Sequence, residues 1–244
     1  MRLNRVFCEG PLASGAELDL PAAGAYHIVR VLRLREGAPL AVFDGKGAEF
    51  HAEISRLDKR KVTLRLLERI SRISESMLNI TLVQGVSRGD RMDWTLQKAT
   101  ELGVTAIVPV LSARSVVRLD EEQMRKKQAH WRGIIIGAAE QSGRTRIPAL
   151  APSMRLRDYL IQSRKSGLRI VLSPSARTSL ASLGNQPNQV ELLIGPEGGL
   201  DDEETMAAQR AGFRPVHLGP RVLRTETASV VTLSILQALW GDLR

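Results

Sequence analysis

Residues 190–204 read VELLIGPEGGLDDEE. A short apolar run stops at a glycine-rich turn, and acids follow at once. This is the pattern of a buried strand, a tight turn and a helix whose first turn is acidic. Working outward, the same alternation recurs. MLNITLVQGV predicts a strand, and DRMDWTLQKATELG a helix with Met92, Leu96 and Ala99 on one face and Gly103 as its stop. VTAIVPVL predicts a strand, and DEEQMRKKQAHWRGIIIGAAEQSG a long helix capped by Asp120 and closed by Gly143. SMRLRDYLIQSRK (helix), LRIVLS (strand), DDEETMAAQRAG (helix), FRPVHLG (strand) and TETASVVTLSILQALWGD (helix) complete the set. Buried strands alternating with helices predict a parallel α/β sheet.

Residues 1–72 have a different texture. RVFCE, YHIVRVLRL, PLAVFDGKGAEFHAEI and KVTLRLLERI alternate apolar and polar residues, and DGKG at 44–47 is a hairpin signal. They predict a small β-barrel over 1–72 and an α/β domain over 73–244, with the polar SRISES at 71–76 as linker. The connection SPSARTSLASLGNQPNQ at 173–189 is long, and is either functional or a surface excursion.

The net charge of +9 and pI near 10.4 favour a polyanionic partner, and nucleic acid is the commonest. Aromatic residues are only 4%, so contacts through phosphates and shape are expected more than base stacking. No apolar run reaches the length of a membrane span, and MRLNRVFCEG lacks the apolar core of a signal peptide. Cys8 stands alone, which excludes a disulfide framework and suits a reducing cytoplasm. His27, His51, His130 and His217 share no metal-ligand spacing, so no metal is expected.

GPEGG has the spacing of neither a Walker loop nor a dinucleotide fingerprint. Glu197, Asp201, Asp202, Glu203 and Glu204 fall in a stretch without Lys or Arg, so phosphate is a poor guest. A carboxylate-bordered cavity suits a nucleoside that carries hydroxyls, amines or positive charge and no phosphate, as S-adenosylmethionine does. The alternative is a tight structural turn with Glu197 exposed.

LIGPEGG (193–199) followed by HLGPRVLRTETA (217–228) resembles the paired signature of the SPOUT methyltransferases. The closest resemblance is to the family that methylates uridine N3 in 16S ribosomal RNA. HIVRVLRLREG with FDGKG is similar to its N-terminal PUA-like barrel, and GDRMDWTLQKATELGV, ARSVV and AAEQSGRTRIP to its middle segments. Leu200 departs from the aromatic residue frequent there. The resemblance implies a PUA-like β-barrel followed by a SPOUT α/β domain with a parallel sheet and a trefoil knot. It implies a cytoplasmic homodimer, S-adenosylmethionine as cofactor, and 16S rRNA within the 30S subunit as substrate.

By the same resemblance the cofactor lies among Leu172, Ser173, Ile194, Gly195, Pro196, Glu197, Gly198, Gly199, Leu218, Gly219, Leu223 and Arg224. Arg224 is expected to stabilise the developing uracil anion, or else to pair structurally with Glu226. Glu140 and Arg144 are further candidate active-site residues, and Lys98 with Glu101 could simply be a surface pair. RNA contacts are expected from Arg30, Arg33, Lys59, Arg60, Lys61, Arg88 and Arg91, with Arg125, Lys126 and Lys127 as a second basic group. A non-catalytic RNA-binding assembly factor of the same fold is the competing reading.

Overall fold

The computed structural model describes residues 3–58, 61–72, 74–115, 120–162, 167–184 and 186–243. Two compact units emerge: Met1–Glu75 with Ile136–Ile147, and Ser76–Ile135 with Pro148–Arg244.

The first unit contains β1 (Arg5–Phe7), β2 (Glu17–Asp19), α1 (Ala22–Tyr26), β3 (Pro39–Phe43), β4 (Glu49–Leu57) and β5 (Val62–Arg69). The five strands form one sheet in the order β1-β3-β4-β5-β2. The β1–β3 pair is parallel and the others are antiparallel, so the sheet is mixed. DGKG makes the expected hairpin. The Asp44 carboxylate accepts from the amides of Lys46 (2.7 Å) and Ala48 (3.0 Å), which closes the turn between β3 and β4. Val6, Ile28, Leu40, Val42, Ile54, Val62, Leu64 and Leu66 form the core.

YHIVRVLRL does not form the alternating strand its pattern suggests. α1 runs into a π-helical turn over His27–Leu32, closed by Arg33 in the left-handed region (φ +51°), whose amide donates to the Ile28 carbonyl. Ala25 and Ile28, three residues apart, are buried, whereas Val31 is 58% exposed. Helical spacing therefore decides the burial, and the alternation of β-branched residues is incidental.

The segment 136–147 joins this unit through buried polar contacts. Arg5 is buried, pairs with Glu49 at 2.7 Å, and donates to the carbonyls of Ala139 and Arg144. Glu75 takes the Arg144 guanidinium at 2.7 Å and the amides of Thr145 and Arg146.

The second unit contains β6 (Asn79–Gly85), α2 (Asp90–Glu101), β7 (Ala106–Leu111), most of α3 (Glu121–Ser142), β8 (Ala149–Leu150), β9 (Met154–Arg155) and α4 (Leu156–Gln162). It continues with β10 (Leu168–Leu172), β11 (Gln189–Ile194), α5 (Asp202–Arg210), β12 (Arg214–Val216) and α6 (Thr225–Trp240). The sheet order is β12-β10-β11-β6-β7-β8, with β9 also on β7, and each pairing is parallel. Apolar strand residues such as Ile80, Leu82, Ile107, Ile170, Val190 and Leu192 are buried. Glu191 is buried too, and Arg169 (2.8 Å) and the Tyr159 hydroxyl (3.0 Å) neutralise it. Desolvation, reinforced by the Glu191 charge, pushes the Tyr159 pKa upward.

From β6 the chain builds to one side, and from β10 to the other, so the strand order reverses at the β6–β11 neighbours. Ligands of open α/β sheets bind outside the carboxyl ends of strands at such a reversal. Part of the connection at 173–189 lies against β12. Ser179 bridges His217 in parallel, and Leu180, in a short 3-10 turn, is buried. Among the described residues no helix is long and apolar enough to cross a membrane.

Candidate active site

A cavity of about 510 Å³ lies at the carboxyl ends of β10, β11 and β12, in the second unit. Leu172 to Pro174 follow β10, Ile194 to Leu200 follow β11, and Val216 to Gly219 follow β12. Arg221 to Glu226 lead into α6 and complete the wall.

Three of the five acids in and after the glycine loop accept hydrogen bonds from the protein. Asp201 caps α5 by accepting from the Glu204 amide (2.7 Å), while the Glu204 side chain accepts from the Asp201 amide (3.2 Å), a reciprocal capping box. Glu204 also accepts from the Ala113 amide at 2.7 Å. Glu197 accepts from the Arg88 amide (2.9 Å) and the Arg91 guanidinium (3.1 Å). Desolvation pushes the Glu197 carboxyl up, but the Arg88 amide, its own amide and Arg91 outweigh it and hold the pKa below the usual carboxylate value. Arg114 donates to the Gly198 carbonyl at 3.0 Å.

Arg91, Arg114, Arg221 and Arg224 line the cavity, against Glu197 and Glu226. The cavity is bordered by carboxylates as expected, but its wall is not uniformly acidic. Its cap and first turn are acidic as read, but arginines from other parts of the chain reach the cavity and one pairs with its acid.

Behind the cavity the backbone is tightly packed. A Cβ on Gly85 would lie 2.4 Å from the Pro196 nitrogen, and one on Gly195 2.9 Å from the Gly199 carbonyl carbon. Only glycine fits at either position, so the end of β6 abuts the loop after β11. Thr225, at the start of α6, donates to the Gly195 carbonyl at 2.7 Å.

A model of an RNA methyltransferase domain matches residues 74–237, and one of an RNA methyltransferase PUA domain matches 22–67. Ribosomal RNA small subunit methyltransferase E of Buchnera aphidicola (subsp. Schizaphis graminum) is 32% identical over 99% of this chain and 98% of its own. The chain belongs to the ribosomal RNA small subunit methyltransferase E family. The Bacillus subtilis family member is 32% identical over 89% of this chain and 90% of its own. The Neisseria gonorrhoeae member, solved bound to S-adenosyl methionine, matches at a TM-score of 0.93 and 38% identity over 100% of both chains. A protein from Legionella pneumophila, solved in complex with the cofactor SAM, matches at a TM-score of 0.96 and 41% identity, again over 100% of both chains.

Each residue that the family resemblance places around the cofactor lines the cavity, from Leu172 and Ser173 through Ile194–Gly199 to Leu218, Gly219, Leu223 and Arg224. Arg224 is exposed at the N-cap of α6 and makes no ion pair with Glu226, so the structural pairing considered for it is absent. Glu140 and Arg144 are not among the residues that line the cavity. Both belong to the first unit, where Glu140 accepts from the Phe7 amide (2.9 Å) and Arg144 is buried against Glu75. Lys98 and Glu101 form the surface pair at 2.8 Å.

Of the residues expected to touch RNA, Arg30 and Arg33 are exposed, and Lys61 pairs with Asp19 at 2.8 Å. Lys59 and Arg60 lie outside the described residues. Arg88 and Arg91 hold Glu197, as above, and Lys126 pairs with Glu122 at 2.7 Å. Gln84, Gly85 and Ser229 were not legible as site residues, because their role depends on contacts between distant segments. Thr225 lies within the quoted signature without an assigned part.

Proposed function

We propose that the chain transfers the methyl group of S-adenosylmethionine to N3 of a uridine in 16S rRNA of the small ribosomal subunit. The observation that carries this reading is the cavity. It is built from the three segments that the family resemblance assigns to the cofactor, in a fold shared with S-adenosylmethionine-bound relatives. In the reaction N3 first gives up its proton to water, and the in-plane lone pair of the resulting uracil anion forms the new bond to carbon as the sulfur–methyl bond breaks. Positioning in line and donors near the uracil oxygens supply the catalysis. Arg224, exposed at the cavity and without a carboxylate partner among the described residues, is the donor we assign to the developing anion.

The remaining parts of the reading belong to the same proposal. Residues 1–72 act as the RNA-binding barrel and 73–244 as the methyltransferase domain. The chain works as a cytoplasmic homodimer on the 30S subunit, and a trefoil knot holds the cofactor loops. Arg30 and Arg33 meet RNA phosphates. The test is nucleoside mass spectrometry of 16S rRNA from a strain lacking the gene. We expect one N3-methyluridine to disappear and to return with the wild-type gene but not with Arg224→Ala. An unchanged set of methylated nucleosides in the deletion strain would overturn the proposal.

A further inference from the structure

Between the cavity and the sheet lies a chain of buried polar groups. Gln84, Thr225 and Ser229 are 0%, 6% and 0% exposed. Gln84 Nε2 has two hydrogens and two acceptors, the Gly85 carbonyl (3.1 Å) and Thr225 Oγ1 (3.1 Å). Having accepted there, the Thr225 hydroxyl donates its only hydrogen to the Gly195 carbonyl at 2.7 Å. Gln84 Oε1 accepts from Ser229 Oγ at 2.8 Å, and the same Oγ lies 2.8 Å from the Thr225 carbonyl. The donors and acceptors of the Gln84–Thr225–Gly195 chain are thereby matched in one direction.

The chain ends at a peptide with a special property. Gly195 is followed by Pro196, so this peptide has no N–H, and its carbonyl is its one hydrogen-bonding group. Gly85 closes the other side, where a Cβ would sit 2.4 Å from the Pro196 nitrogen. The Gly195–Pro196 peptide is held by packing at its nitrogen and by Thr225 at its oxygen. Both residues line the cavity.

We infer that Thr225 is a positioning residue for the methyl donor, and that Gln84 and Ser229 orient it. The inference rests on S-adenosylmethionine being the occupant of the cavity. Thr225 touches no reacting atom in this role. It sets the plane of the Gly195–Pro196 peptide, and with it the start of the loop through Gly199. Replacing its hydroxyl by a methyl of equal size strands two buried groups, one hydrogen of Gln84 Nε2 and the Gly195 carbonyl. Unmet buried groups are costly enough to shift the loop.

The test is calorimetric titration of the full chain with S-adenosylmethionine, alongside thermal melting. For Thr225→Val we expect the dissociation constant to rise roughly ten- to a hundredfold. Thr225→Ser, which keeps the hydroxyl, should recover most of that loss, a rescue that a mere packing role for the threonine methyl would not give. Ser229→Ala, which acts through Gln84, should weaken the donor by a smaller factor of about three to ten. It carries the test alone if Thr225→Val does not fold. Affinity within twofold of wild type in Thr225→Val, or in Ser229→Ala where it stands alone, would overturn the inference. So would a loss in Thr225→Ser equal to that in Thr225→Val. A wild-type chain that takes up no S-adenosylmethionine would sink the cofactor reading and this inference with it. Binding by wild type with no effect of the substitutions would sink this inference only.

Discussion

Glu197 and Arg91 meet at 3.1 Å, and the same Glu197 oxygen accepts the Arg88 amide at 2.9 Å. The only charged residue within the glycine loop is therefore tied to the segment that opens α2. Its pKa is lowered, so its contribution to stability is complete above the ordinary Glu value of about 4.3 and is lost as pH falls through the lower folded value. The pair is substantially exposed, and solvent screening limits its worth to about 1 kcal/mol at most. Thermal melts of wild type and Glu197→Gln should differ slightly at pH 7 and converge as pH falls through the lowered folded value, below the ordinary Glu value of about 4.3. A gap that widens on acidification would contradict the assignment.

Gly85→Ala should be among the most damaging small changes in the second unit. The added methyl would meet backbone, the Pro196 nitrogen at 2.4 Å, which cannot swing aside as a side-chain tip can. We expect a stability loss of about 1–3 kcal/mol or more together with lost affinity for S-adenosylmethionine, read by melting and calorimetry. Gly89→Ala, where a Cβ would meet nothing within 4 Å, separates backbone strain from collision, because Gly89 has φ +51°.

Arg144→Ala should destabilise the first unit. Arg144 is 5% exposed and bonded to Glu75 at 2.7 Å, so its removal takes the countercharge from a partly buried carboxylate and leaves it only two backbone amides. A loss of about 3–5 kcal/mol is expected in denaturant unfolding. Replacing both Arg144 and Glu75 with apolar residues should cost less than twice that, because neither charge is then left alone. Additive losses would argue against the pair acting as a unit.

Arg30 and Arg33 are exposed on the turn that follows α1. If each meets a phosphate, substituting either by Ala should weaken RNA binding and reduce the slope of log K against log salt by about 1. A filter-binding series in salt measures this. An unchanged slope in the double variant would remove both from the RNA surface.

Much of the second unit was legible because its strands are buried on both faces and its helices carry ordinary start and stop residues. Asp120, Gly103 and Gly143 fall where helix ends were expected. The DGKG hairpin was legible for a local reason, since Asp44 and two glycines define the turn within five residues. YHIVRVLRL was misread because β-branched residues alternate along a helical turn whose burial follows Ala25 and Ile28. The site's electrostatics were legible only in part, because a contiguous acidic stretch hides its partners. Arg91 and Arg114 stand far from Glu197 and Gly198 in sequence. Gln84 with Thr225 is the same case among neutral groups, 141 residues apart. The cavity-lining residues were found through family resemblance, not through charge.

The central claim is that the cavity among the loops after β10, β11 and β12 holds the methyl donor. The most direct measurement is a crystal structure of the full chain with S-adenosylmethionine. We expect the donor between Gly195–Gly199 and Leu218–Arg224, with its methyl group facing the opening beside Arg224. Density for the donor at any other place, or none at saturating concentration, would contradict the account.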